Sequence, residues 1–168
     1  MFGALLHRDL AALGAPFEVS SAGLLDWDQP ADPGAVAAMA GLTIDITGHR
    51  SRPVSSLDLT DYELILTMTR EHLREVVVDE PTVFPITFTA KAFARAVGAP
   101  SDEVRAGGLA DQIRAISAER TTASMMGQSP DDDVADPYRL GQQEFDATAA
   151  ELAELSALIA RSLCSMAM

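Results

Sequence analysis

The chain has 168 residues, the usual length of one domain, and 48% of them are hydrophobic. Lys and Arg number 12 against 25 Asp and Glu, and the resulting net charge of −13 argues against a general nucleic-acid binder, which needs a basic face. No apolar run approaches the ~18 residues of a membrane span, and a single cysteine, Cys164, leaves no internal disulfide or cysteine metal cluster within these residues. We therefore expect a soluble cytoplasmic protein.

The first quarter of the chain predicts helix, strand and helix. Apolar residues recur at helical spacing over residues 2–13 and stop at Gly14. Residues 17–21 alternate between apolar and polar, which predicts a strand. Asp32 offers an acceptor side chain ahead of a proline, so a second helix is expected from there to about residue 40.

The middle of the chain centres on a buried strand. Residues 42–53 read as a loop, and a helical turn is expected near 56–61. Residues 63–68 are continuously apolar at their centre, as in a parallel strand that is covered on both faces. Thr69 can cap the helix that follows over about 70–77.

The last half adds mainly helices. Residues 82–86 predict a weak strand, because Pro85 removes one ladder donor. A mobile acidic loop is expected over residues 121–135. Further helices are predicted over residues 89–97, 109–120 and 143–164. Because strands and helices alternate, an α/β layer fold with a parallel sheet follows.

Three places in the sequence could carry chemistry, and each has a plain alternative. Asp136 precedes a proline, which presents its carboxylate from a loop either as a surface turn or as a general acid. His49, with Arg50 and Arg52, forms a basic patch that is either a solvated loop or a loop that His49 holds by hydrogen bonds. Trp27 either fills the core or walls a cleft for a flat substrate ring.

The order of five segments favours the functional interpretations. The segments are Ser20-Ser-Ala-Gly-Leu-Leu-Asp-Trp27, Pro30-Ala-Asp-Pro-Gly-Ala-Val36, Ile44-Asp-Ile-Thr-Gly-His-Arg-Ser-Arg52, Tyr62-Glu-Leu-Ile-Leu-Thr-Met68 and Asp136-Pro-Tyr138. In this order and spacing they closely resemble the low-molecular-weight protein tyrosine phosphatase family, in its bacterial form. The resemblance implies a three-layer fold, with a parallel sheet flanked by helices.

The resemblance also implies an enzyme and a mechanism. Members hydrolyse phosphate monoesters, above all phosphotyrosine, without a metal or other cofactor, through a cysteine thiolate in a Cys-x5-Arg loop. By position, Asp136 matches the general acid, and Ser21 and His49 match the pair that supports the phosphate loop. Trp27 and Tyr138 match the aromatic walls around the substrate ring. The expected partner is a phosphotyrosine protein or another aryl phosphate, with no nucleic acid and no membrane.

The chain departs from the family pattern in several places. Thr69 stands where many members have aspartate, and Arg139 where many have a second tyrosine, which bears on substrate preference. The first strand and the Cys-x5-Arg loop would precede Phe2, so residues 1–168 are expected to form a single, N-terminally truncated phosphatase-like domain that lacks its central strand. Cys164 occupies an ordinary apolar position on the last helix and cannot replace the nucleophile, and Arg8 has the wrong offset to grip phosphate.

The missing loop leaves three interpretations. The preferred one is a phosphatase whose natural form is longer, with the printed chain inactive by itself. The second is a non-catalytic pseudophosphatase or binding remnant. The third is an arsenate reductase built on the same fold, although that chemistry passes a disulfide along additional cysteines and residues 1–163 contain none.

Overall fold

The computed structural model describes residues 1–25, 28–98, 107–118 and 120–167. Within these residues the helices are α1 (Phe2–Ala12), α2 (Pro33–Gly41), α3 (Arg70–Asp79), α4 (Ala90–Gly98), α5 (Leu109–Ala118) and α6 (Gln142–Met166). The strands are β1 (Ile65–Thr67) and β2 (Thr87–Thr89). Short 3-10 helices cover Val54–Ser56, Leu59–Asp61, Pro81–Ile86 and Thr122–Met125. Among the described helices, none combines the length and apolarity that crossing a bilayer requires.

The two strands form a parallel sheet, which confirms the predicted α/β class. Ile65 pairs with Thr87 and Thr67 with Thr89, and all three residues of β2 are buried. A parallel pair needs a crossover connection, and α3 lies within the one that joins these strands.

Two side-chain caps form as the sequence predicts. The Oδ1 atom of Asp32 accepts a hydrogen bond from the backbone N–H of Gly34 at 2.8 Å, at the start of α2. The Oγ1 atom of Thr69 accepts one from the N–H of His72 at 3.1 Å, at the start of α3. Each cap satisfies an N–H group that the first turn of a helix would otherwise leave unpaired.

Two predicted strands are wrong. Residues 17–21 form no strand, because an extended segment becomes one only when a neighbour completes its ladder, and no other described strand pairs with it. Residues 82–86 lie in a 3-10 helix, and the strand begins after them at Thr87. The carboxylate of Glu80 caps this helix by accepting from the N–H of Thr82 at 3.3 Å, and Pro85 removes a donor that a ladder would need.

The described chain divides into two compact units. The first comprises Met1–Leu57 and Ala135–Arg161, and the second comprises Asp58–Val134 and Ser162–Met168. In the first unit the fully buried side chains include Leu5, Met39 and Ile159. In the second they include Phe93 and Ile113, and the rings of Phe88 and Phe93 meet with their centroids 5.2 Å apart.

Candidate functional site

Asp136 lies in an exposed loop that precedes α6. Its Oδ1 atom accepts a hydrogen bond from the backbone N–H of Tyr138 at 3.0 Å, the local turn that an aspartate commonly forms with the residue two positions later. Pro137, between them, is buried. The turn therefore fixes the direction of the Asp136 side chain while its carboxylate stays open to solvent, as proton donation to a bound molecule requires.

Tyr138 presents an aromatic ring next to this carboxylate in the sequence. The residue is 55% exposed, and the guanidinium carbon of Arg139 lies 5.2 Å from its ring centroid. Arg139 has a φ of 64°, a left-handed conformation that few residues other than glycine adopt. The N–H of Leu140 donates to the carbonyl of Pro137 at 2.9 Å and closes the turn. An exposed ring held by such a turn is suited to stacking on a substrate ring.

Ser21 lies beside the first turn of α1. A Cβ atom built on Gly3 would stand 3.3 Å from the Cβ of Ser21, so glycine allows this approach. The carbonyl of Ser21 accepts a hydrogen bond from the Nε of Arg52 at 2.9 Å, and Arg52 also donates to the hydroxyl of Ser20. The segment that carries Ser21 is thus tied to the segment that follows His49.

The imidazole of His49 is electrostatically coupled to the same end of α1. The pKa of His49 lies below its ordinary value. The larger cause is partial desolvation of the ring, although the residue as a whole is exposed, and the smaller one is the positive charge of the Met1 α-amino group. A lowered pKa keeps the ring neutral near pH 7, with one nitrogen donating and the other accepting. The structure thus places Ser21 beside the N-terminal end of α1, where unpaired N–H groups favour an anion.

Trp27, the predicted second aromatic wall, lies outside the described residues. Cys164 is half-buried on α6. Within the described ranges, no group of three His, Cys, Asp or Glu side chains could hold a metal ion. The roles assigned to the site residues stay predictions.

Within the loop over residues 121–135, which the sequence predicts to be acidic and mobile, the side chain of Asp132 is buried and paired with Arg70 and Arg95. Burial acts to raise the pKa of Asp132, but hydrogen bonds from Arg95 and Arg70, together with their charges, outweigh it and hold the pKa below its usual range. We call residues 129–134 the acidic segment. The basic partners of this segment are visible in the sequence as two pairs of basic residues spaced four apart. One pair is at positions 70 and 74 on α3, and the other is at positions 91 and 95 on α4.

Comparison with known proteins identifies the fold. Residues 3–84 match the family model described as low molecular weight phosphotyrosine protein phosphatase. No curated protein sequence matches the chain.

Several solved structures share the arrangement of the chain. A low molecular weight protein tyrosine phosphatase from T. tengcongensis is 26% identical, with a TM-score of 0.68 over 94% of this chain and 86% of that one. The YwlE arginine phosphatase from Geobacillus stearothermophilus is 23% identical, with a TM-score of 0.66 over 97% and 82%. The tyrosine phosphatase Wzb from Escherichia coli K30, in complex with sulphate, is 21% identical, with a TM-score of 0.67 over 96% and 87%.

Proposed function

Because the chain belongs to the low molecular weight phosphotyrosine protein phosphatase family through residues 3–84, we propose that its active form hydrolyses phosphate monoesters. The substrate class is a phosphotyrosine protein or another aryl phosphate. A cytoplasmic location is part of the proposal, since a thiolate nucleophile needs the reducing conditions found there.

The observation that carries the proposal is the close approach of Ser21 to the start of α1. Ser21 lies against Gly3, and the segment that carries it is bonded through Arg52 to the segment that follows His49. Ser21 and His49 are the residues that the family resemblance assigns to support of the phosphate loop. A loop that ended at Met1 would have Ser21 within reach, and its phosphate would face the positive end of the helix.

The proposed chemistry has two steps. In the first, a cysteine thiolate forms a bond to phosphorus, the phosphorus–oxygen bond of the ester breaks, and Asp136 gives its proton to the departing phenolate. In the second, water attacks the phosphocysteine while the Asp136 carboxylate takes its proton, which releases inorganic phosphate and restores the thiolate. General acid catalysis of this kind contributes about 10²–10⁴-fold in rate.

The nucleophile is the part of the proposal that the printed residues do not supply. Cys164, their only cysteine, lies near the end of α6, far along the chain from the residues assigned to the site. We propose that a Cys-x5-Arg segment ahead of Met1 completes the active form, and that the printed chain alone has no significant turnover.

The test compares two forms of the protein with p-nitrophenyl phosphate and a phosphotyrosine peptide. One is the printed chain, and the other, the extended form, also carries the residues that its gene encodes in frame ahead of Met1. We expect turnover only from the extended form, with Cys-x5-Arg in the added segment. An added segment without that motif, equal turnover by both forms, or peptide binding without hydrolysis by the extended form would each contradict the proposal.

The general acid is tested in the extended form by Asp136→Asn. Because the variant cannot protonate the phenolate, kcat for the phosphotyrosine peptide should fall by about 10²–10⁴-fold. The matched control is Asp79→Asn, an exposed aspartate at the end of α3, which should leave kcat unchanged. A phosphoarginine peptide, assayed in parallel, decides whether the substrate class is an aryl phosphate; faster hydrolysis of that peptide would contradict it.

A further inference from the structure

The carboxylate of Asp132 fastens the acidic segment to two helices. Its side chain is 8% exposed and accepts hydrogen bonds from the Nε of Arg70 on α3, at 2.6 Å, and from the guanidinium of Arg95 on α4. Two guanidinium groups thus share one buried carboxylate. Removal of that charge would leave both without their common partner, whereas each paired group now offsets the desolvation of the other.

The two residues after this carboxylate, Asp133 and Val134, are also bonded to the rest of the unit. The Oδ1 atom of Asp133 accepts from the backbone N–H of Arg70 at 2.7 Å, and its carbonyl accepts from the Nζ of Lys91 at 2.7 Å. The N–H of Val134 donates to the carbonyl of Met68, one residue beyond β1, at 2.8 Å. The last residue of the acidic segment is therefore bonded to the residue that directly follows β1.

The N-terminal approach to the segment is held in the same way. One guanidinium nitrogen of Arg74 donates to the carbonyl of Met125 at 2.7 Å and to that of Gly127 at 2.8 Å. Arg74 lies one helical turn after Arg70, so both reach the loop from the same face of α3.

Polar bonds hold residues 129–133, while the side chain of Val134, the last residue of the segment, is buried. A cavity of about 440 Å³ opens beside the segment, lined by Arg70, Lys91 and Arg95 together with residues 129–132. Residues 129–132 therefore have open space along one wall, where the bonds to Arg70 and Arg95 rather than close packing hold them.

We propose that Asp132 is a positioning residue for the general acid Asp136, an inference that rests on the proposed function. The chain leaves the acidic segment at Val134, and the two residues from there to Asp136 span at most ~7 Å. The anchor therefore limits how far the backbone of Asp136 can move from Val134. A proton donor must come within about 2.6–3.2 Å of the leaving oxygen, and a misplacement of ~1 Å can lower the rate by ~100-fold.

The anchor itself is tested by amide hydrogen exchange, in both the printed chain and the extended form. Asp132→Asn should raise the exchange rate of the Val134 amide by ~10-fold or more, because local opening becomes easier when few bonds oppose it. Arg95→Gln, at a half-exposed side chain that is easier to replace, should have the same effect if Asp132→Asn prevents folding. The control is Arg114→Gln, an exposed arginine of the same unit that pairs with the exposed Asp111.

The catalytic consequence is tested in the extended form with two esters that differ in their leaving groups. Phenolate needs protonation more than nitrophenolate does, so loss of a well-placed acid slows phenyl phosphate more than p-nitrophenyl phosphate. We expect Asp132→Asn to change the ratio of the two kcat values by ~10-fold in the same direction as Asp136→Asn. In the double variant the ratio should equal that of Asp136→Asn alone, because Asp132 acts through Asp136.

The possible outcomes separate the two proposals. Unchanged exchange at Val134 in both Asp132→Asn and Arg95→Gln would overturn the anchor. Faster exchange with an unchanged ratio of kcat values, or an equal loss on both esters, would show that Asp132 only stabilises the fold and would overturn its positioning role. Absence of turnover in the unmutated extended form would instead contradict the proposed function, and the exchange data would still decide whether Asp132 anchors the segment.

Discussion

Gly34, the second residue of α2, has no room for a side chain. A Cβ atom built there would lie 2.5 Å from the Cδ2 of Phe145, whose ring is buried on α6. Gly34→Ala must therefore displace the ring or the helix, and we predict that it lowers the free energy of unfolding by about 1–3 kcal/mol. Urea denaturation followed by circular dichroism measures this difference.

Gly41 in the same helix is the matched control. A Cβ atom there would meet no heavy atom within 4 Å. Since alanine favours helix over glycine by up to ~1 kcal/mol, Gly41→Ala should leave the free energy of unfolding unchanged or raise it slightly. If the two variants lost stability equally, the Phe145 contact would not be the reason that position 34 holds glycine.

At the scale of elements, the sequence predicts helices better than strands because helices satisfy their hydrogen bonds locally. Asp32 and Thr69 cap helices as expected, since each bonds to an N–H two or three residues ahead. Residues 17–21 carry the alternation of a strand, yet a strand also needs a partner from elsewhere in the chain. An alternating pattern predicts which face a segment would bury, but it does not supply the neighbour.

The same distinction between local and distant bonds applies to the candidate site. Asp136 and Tyr138 are two residues apart, so a short motif is enough to find their turn. The partners of Asp132 come from 62 and 37 positions away, and a run of three aspartates by itself resembles a solvated loop. The burial of Asp132 could have been predicted only by matching the three aspartates to the two pairs of basic residues on α3 and α4.

One buried polar bond joins the first and last helices of the first unit. Ser156 on α6 is fully buried and donates to the Oδ2 atom of Asp9 on α1 at 2.6 Å, while Arg8 donates to Oδ1 at 2.8 Å. We predict that Ser156→Ala lowers the free energy of unfolding by about 1.5–3 kcal/mol, the usual range for a hydrogen bond to a charged group. Denaturation in urea measures the effect, and the exposed Ser165 on the same helix provides the control, Ser165→Ala, with a change within ~0.5 kcal/mol.

A double-mutant cycle tests whether this bond is the cause. If Ser156 acts through Asp9, the combined loss in Ser156→Ala with Asp9→Ala should be smaller than the sum of the two single losses. Additive losses would mean that Ser156 stabilises α6 independently of α1.

At the scale of the whole molecule, charge is distributed unevenly. Four of the 12 basic residues, at positions 70, 74, 91 and 95, bond to residues 125–133, which leaves eight for the rest of a chain with a net charge of −13. Repulsion among the remaining carboxylates opposes the folded state, and dissolved ions screen it. We predict that the melting temperature of the protein rises when NaCl increases from ~0.01 to ~0.3 M.

The buried carboxylate of Asp132 should respond differently to salt, because ions screen a buried pair much less than an exposed one. The stability difference between the unmutated protein and Asp132→Asn should therefore stay nearly constant over the same salt range, in thermal scans of both proteins. Replacement of two exposed acids by Glu75→Gln and Glu154→Gln should weaken the salt dependence of the melting temperature, since it reduces the repulsion itself. A melting temperature that falls with salt would mean that attractive surface pairs outweigh the repulsion, and a shrinking Asp132 difference would mean that solvent ions reach the pair between Asp132 and its two arginines.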